Sequence, residues 1–212
     1  MVLMDFIFRW LHVLFGITWI GLLYYFNFIQ GGYFKKATAE GLKDAKEKLA
    51  PDALWWFRWG AMLTFITGVL LLVGVKMSYG SFNAYIVAGA TLGTIMFLNV
   101  WLIIWPNQKI ALGMVDGDGP AAAGKALLAS RTNTLFSAPL VFFMLAGPHF
   151  ATGGGYGQAA SGSTGLWVVL ALIAALEVNA IAGKQGPLAS VMGVIHCSIA
   201  LALVMAALVM YV

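Results

Sequence analysis

Apolar residues in this chain fall into six long runs, at about 6–30, 54–75, 84–105, 123–146, 165–182 and 188–212, separated by short polar or glycine-rich stretches. Each is close to the roughly 20 residues a helix needs to cross a hydrocarbon core. The pattern predicts an all-α, polytopic integral membrane helix bundle of about six transmembrane helices, forming a single domain over 1–212. In the first run His12, Gly16, Trp19, Leu23, Asn27 and Gln30 recur at helical spacing and define one packing face. That run is too long for a signal-peptide core, and no small-residue cleavage site follows it, so it reads as a retained span.

The connecting stretches are equally patterned. The stretch 31–53 carries five lysines and four acids between Lys35 and Asp52, and reads as a solvated loop or short interfacial helix ending near Pro51. Gly60, Thr64 and Gly68 form a small-residue ridge on the second run, and Gly89 and Gly93 a close-packing pair on the third. The third run closes at Trp105-Pro106, where a proline is expected to stop a helix. The Gly- and Ser-rich stretch 147–165 reads as an exposed loop with His149 at its membrane edge. A tight turn at 183–187 leads to the last run, on which Ala189, Gly193, His196 and Ala200 share a face.

Composition fixes the environment. The chain is 61% hydrophobic and 9% charged, with a mean hydropathy of +0.89, whereas soluble domains carry about 25% charged residues. One cysteine, Cys197, excludes an internal disulfide and a Cys-x-x-Cys-His attachment site for haem. The net charge of +4 matters through its placement. With both termini outside, Lys35, Lys36, Lys43, Lys46, Lys48, Lys109, Lys125 and Lys184 all face the cytoplasm and Lys76 alone faces out, as the positive-inside rule requires. An N-out, C-out protein of the bacterial inner membrane follows, with the lipid bilayer and no nucleic acid as its surroundings. Trp55, Trp56 and Trp59 form an interfacial belt. Arg58, among them, either snorkels to the headgroups or completes a pocket.

The chemistry concentrates on one side. Ser130-Arg131-Thr132-Asn133-Thr134 stands about two turns inside the fourth run, and a charge at a span centre costs about 2.5–3.5 kcal/mol on insertion scales. Such a group turns inward. Asn27, Gln30, Arg58, Asn99, Asn107, Gln108, Asn133, Glu177 and Asn179 fall in the same leaflet under the N-out orientation. They suggest a cytoplasmic-side pocket for a planar anion, since guanidinium groups suit oxyanions and amides read ring donors and acceptors. The alternative is that these groups satisfy one another and the helix ends. His12 and His196 are the pair available as axial ligands of a b-type haem, or as proton relays. Counted from the span ends they differ in depth by roughly 9 Å, at about 1.5 Å per residue, an offset that errors in the span ends could remove or enlarge.

Trp10-Leu11-His12 with Gly16-Ile17-Thr18-Trp19-Ile20-Gly21, followed by Tyr25-Phe26-Asn27-Phe28-x-Gln30, resembles the start of the bacterial membrane-bound urate oxidases. Asn99-Val100-Trp101 through Trp105-Pro106-Asn107-Gln108, and Ser130 to Thr134, are similar to that family's other signatures. The resemblance implies oxidation of urate toward 5-hydroxyisourate with electrons passed to a cytochrome c. Family members typically carry a C-terminal cytochrome domain. This chain ends at Val212 after a span, without Cys-x-x-Cys-His, so its electrons are expected to leave through a separate cytochrome or a larger membrane complex.

On this reading Arg131 and Asn133 are the candidate catalytic residues for a purine-like anion. Asn99, Asn107, Gln108, Arg58, Asn27, Gln30 and Glu177 are the candidate substrate-binding residues, and His12 and His196 the candidate ligands of haem iron. The rival reading is a non-catalytic accessory subunit of a larger respiratory or photosynthetic membrane complex that keeps the fold without the chemistry. A transporter fits less well, since no span is visibly broken near the midplane.

Overall fold

The computed structural model describes residues 2–150 and 164–212; most of the Gly- and Ser-rich stretch expected as a loop lies outside the described residues. Among the described residues there is no strand, and six long helices account for the six runs. Helix α1 covers 2–36, running as Val2–Tyr24, a π turn at Tyr25–Gln30 and Gly31–Lys36. Helix α2 covers 39–79, with a π turn at Ala45–Leu49. Helix α3 is Ala84–Ala111, with a π turn at Asn99–Ile104. Helices α4, Gly119–His149, α5, Thr164–Ala182, and α6, Val191–Tyr211, complete the set, with a short 3-10 turn at Gly186–Ala189 before α6.

Two boundaries differ from expectation. The charged stretch is not a loop. Helix α1 continues to Lys36, the chain breaks at Ala37–Thr38, and Thr38 caps the next helix by accepting from the Gly41 backbone N–H at 3.2 Å. Nor do Pro51 and Pro106 stop their helices. Proline clashes with the carbonyl four residues back and lacks a donor. Both prolines follow directly on a π turn, where bonds run five residues back and the ring finds room.

Packing divides the molecule in two. Helices α1 and α2 form a hairpin along the small-residue ridge: a methyl group added at Gly60 would stand 3.2 Å from the Trp19 backbone nitrogen, and one at Gly68 3.1 Å from the His12 ring. Helices α3 to α6 form a bundle in which α4 packs on both α3 and α6 and also touches α5 and α1. Leu92, Met96, Phe136, Phe143, Ile173 and Met205 fill its core. Five helices are long and apolar enough to cross a membrane. The sixth, α4, is long enough at 31 residues, and its polar middle sets it apart. The chain is a multi-pass membrane protein.

Candidate functional site

Helix α4 carries the polar side chains and buries them. Arg131, Thr132, Asn133, Thr134 and Ser137 are all buried, Asn133 completely. The hydroxyls are settled locally: Thr132 donates to the Leu128 carbonyl, Thr134 to Ser130, and Ser137 to Thr134, at 2.7–3.1 Å. Pro139 removes the N–H that would have bonded the Leu135 carbonyl. Ser198 on α6 makes good the loss, donating to the Leu135 oxygen at 2.8 Å and approaching that of Thr134 at 3.1 Å. Nothing in the sequence near α4 announces Ser198, because its role exists only across a helix interface.

Toward α3 and α5, Asn133 builds a closed network. Its amide donates to the Met96 carbonyl at 2.9 Å, and its carbonyl accepts from the Asn99 amide at 2.9 Å. The Asn99 amide also donates to Glu177 Oε2 at 3.0 Å. Three of the expected residues thus meet, one from each helix. Asn99 opens the π turn of α3, a distortion frequent at functional sites.

An open cavity of about 560 Å³ lies one turn closer to the lysine-rich end, between the same three helices. Asn107, Gly124, Lys125, Leu128 and Ala180 are among its lining residues. Ile103 and Ala180 in the lining stand four and three residues beyond Asn99 and Glu177, so the network lies roughly 5 Å below, at about 1.5 Å per residue. The Asn107 amide donates to the Ile103 carbonyl at 2.8 Å, and Asn107 lines the cavity. Sequence reasoning singled out neither Lys125 nor Gly124; the one available signal was that Lys125 precedes Asn133 by two turns.

Toward α1, the pattern differs. The Asn27 amide donates to the Leu23 carbonyl and to Ser130 Oγ, and Tyr24 pairs with Ser137 at 2.8 Å. Asn27 Oδ1 and Gln30 Oε1 on α1 are buried without a hydrogen-bond partner among the described residues, as are Arg131 Nε and Nη1 on another face of α4 and the indole nitrogens of Trp19 and Trp101. Arg131 is 8% exposed. Two residues from Asn133, it points about 200° around the helix, and stands within about 20° of Gly124 and about 60° of Leu128, two residues that line the cavity. Arg58 stands apart from both groups, stacked 3.8 Å over the Trp105 ring with Lys109 near the same ring. Gln108 is half-buried on α3 beside Asn107, and no side-chain bond ties it to the network.

The two histidines do not fit one haem. His12 Nδ1 is held by the Thr64 carbonyl at 3.0 Å and Thr67 Oγ1 at 3.1 Å, in the hairpin. His196 is exposed on α6. Tyr24 is level with Ser137 and Ser198 is level with Leu135. His12 is twelve residues from Tyr24 and His196 two from Ser198, in opposite directions, which sets the imidazoles roughly 20–25 Å apart along the bundle at about 1.5 Å per residue. Axial ligands of one iron must nearly meet. Among the described residues no group of three or more His, Cys, Asp or Glu side chains is placed to hold a metal ion. His149, in the last turn of α4, is exposed.

No curated protein and no solved structure matches the chain. The family model described as urate oxidase N-terminal matches residues 74–210, which takes in the end of α2 and the whole α3–α6 bundle, with every residue of the cavity and its network. The chain belongs to the urate oxidase N-terminal family.

Proposed function

We propose that the chain is a membrane oxidoreductase that takes a urate-like purine anion into the cavity between α3, α4 and α5 and oxidises it over Glu177. One observation carries the reading: a carboxylate, positioned by two buried asparagines, beneath an open cavity whose rim holds a lysine. Its volume lies within the range of small-molecule sites. Lys125 meets the anionic edge of the ring. Asn107 Oδ1 and the terminal carbonyls of α5 at Ala180 to Ala182, which have no partner within their helix, accept from ring N–H groups.

The half-reaction balances as urate plus water giving 5-hydroxyisourate, two electrons and two protons. Glu177 takes the proton from the water as its oxygen bonds to the ring, and returns it through the cavity to the lysine-rich side. That side is the cytoplasmic one under the positive-inside rule, in a bacterial inner membrane. Since His12 and His196 do not fit a single haem, the electrons go to a separate carrier of the cytochrome type, and no step runs through a haem in this chain.

The test is urate-dependent reduction of a soluble c-type cytochrome by the full chain in nanodiscs. Glu177→Gln keeps an acceptor for Asn99 but cannot take a proton, and its kcat is expected to fall about 100-fold or more with KM little changed. Lys125→Met is expected to raise KM and spare kcat. Gly124→Phe places a ring where an added Cβ meets nothing within 4 Å, filling the cavity and abolishing turnover. Undiminished turnover in Glu177→Gln removes Glu177 from the chemistry. Failure of the wild type to reduce the cytochrome with urate leaves the accessory-subunit reading.

A further inference from the structure

Arg58 and Lys109 share one indole, and among the described residues no carboxylate pairs with either. The Arg58 guanidinium stacks 3.8 Å over the Trp105 ring, and the Lys109 ammonium stands 5.6 Å from the centre of the same ring. Both side chains are half-buried. The chain has eight acids, and each is placed elsewhere. Asp5, Asp44 and Glu47 pair with Arg9, Lys48 and Lys43. Glu177 accepts from Asn99, and Asp118 caps α4. Glu40, Asp52 and Asp116 are exposed, and residues 151–163 contain no acid. The indole attracts each cation through its π face, but it carries no net charge, and the two like charges beside it repel. Only an anion from outside the chain can neutralise the pair.

The surroundings narrow the choice of anion. Trp55, Trp56 and Trp59, beside Arg58, are exposed, and exposed indoles at a helix end sit at the headgroup layer of a bilayer. The lysines between 35 and 48 lie just before them. From Trp59, the exposed side chains of Leu63, Ile66 and Leu70 follow at helical spacing toward the middle of the membrane. Trp59 meets Trp101 edge-on at 5.8 Å, so this apolar line borders α3 one turn below Trp105. We propose that the lysine-rich end of the α2–α3 seam is a binding site for an anionic phospholipid. Its phosphate lies with Arg58 and Lys109, and one acyl chain runs along Trp59, Leu63, Ile66 and Leu70. Basic pockets between membrane helices on the cytoplasmic side hold such headgroups. A soluble acidic protein reaches the lysines of 35–48, but the apolar line below Arg58 offers it nothing. The site does not rest on the chemistry proposed for the cavity.

The experiment is thermal unfolding of the purified full chain in an uncharged detergent. Phosphatidylglycerol, phosphatidylcholine at the same mole fraction, inorganic phosphate and poly-glutamate are added in turn. Relative to phosphatidylcholine, phosphatidylglycerol is expected to raise the Tm by a few degrees at saturation, and phosphate and poly-glutamate are not. Arg58→Gln and Lys109→Gln are each expected to lose at least half of that rise, and the double variant all of it. Arg58→Lys keeps the charge on the indole and should keep most of the rise. Lys35→Gln with Lys36→Gln removes the same net charge from exposed positions and should keep it too. Should Arg58→Gln fail to fold, Lys109→Gln, in the last turn of α3, decides alone. An equal rise with phosphatidylcholine overturns the proposal, as does a full rise kept in Lys109→Gln. So does a rise lost as completely in the Lys35 and Lys36 variant, which marks diffuse surface charge. The same rise with phosphate alone assigns the pair to a free anion, and with poly-glutamate to an acidic protein; either result overturns the lipid site.

Discussion

The α1–α2 hairpin and the α3–α6 bundle solve the membrane problem in different ways. The hairpin joins two strongly apolar helices through a ridge of glycine and threonine, and α1 buries the smallest share of its apolar stretch of the five membrane-crossing helices. Leu3, Phe6, Trp10, Val13 and Ile17 point outward, where lipid covers them. The bundle is built around α4, whose polar middle is hidden among its neighbours. Lipid makes no hydrogen bonds, so polarity must be turned inward and answered there. In the bundle Asn133 is answered by Asn99, Asn99 in turn by Glu177, and the Leu135 carbonyl by Ser198. Asn27 Oδ1 and Gln30 Oε1 on α1, and Arg131 Nε and Nη1 on α4, are buried without a hydrogen-bond partner among the described residues.

Substitutions on the two sides are expected to differ accordingly. The largest loss of stability is expected in the bundle. Asn133→Leu removes the partner that ties α4 to Asn99 and to the Met96 carbonyl, and should cost about 1–3 kcal/mol, read as a lowered midpoint of unfolding. An unchanged midpoint would show that the network does not brace α3 against α4. Ser198→Ala leaves the Leu135 carbonyl without its replacement donor and should cost about 1 kcal/mol. Restoring a backbone donor with Pro139→Ala in the same background should recover most of it; no recovery would break the link between Ser198 and Pro139. In the hairpin, His12→Leu gives up bonds to Thr64 and Thr67 for a loss of about 0.5–1.5 kcal/mol. His196→Ala, at an exposed position, should change stability least. Neither histidine variant should alter the reduced-minus-oxidised visible spectrum. A b-type band lost in both would reverse the conclusion that the two imidazoles stand too far apart.

How much of this was legible beforehand depends on how far each feature reaches along the chain. Hydrophobic period and composition were enough for the membrane environment, the six helices, the inward face of α1 through Trp19, Leu23 and Asn27, and the demand that Arg131 and Asn133 be hidden. All of these are properties of one segment against its solvent. Helix ends were misread at Pro51 and Pro106, because a π turn just before a proline supplies room that no local rule anticipates. Pairing was beyond reach. Arg131 and Asn133 stand in one motif, yet a two-residue spacing sends them to opposite sides of α4, and only packing decides that Asn133 meets Asn99 and that Asn27 meets Ser130. The heights of His12 and His196 likewise follow from which residues stand level across helices. A sequence determines what each helix must hide; the neighbours that meet the hidden groups, and those left unmet, are decided when the helices come together.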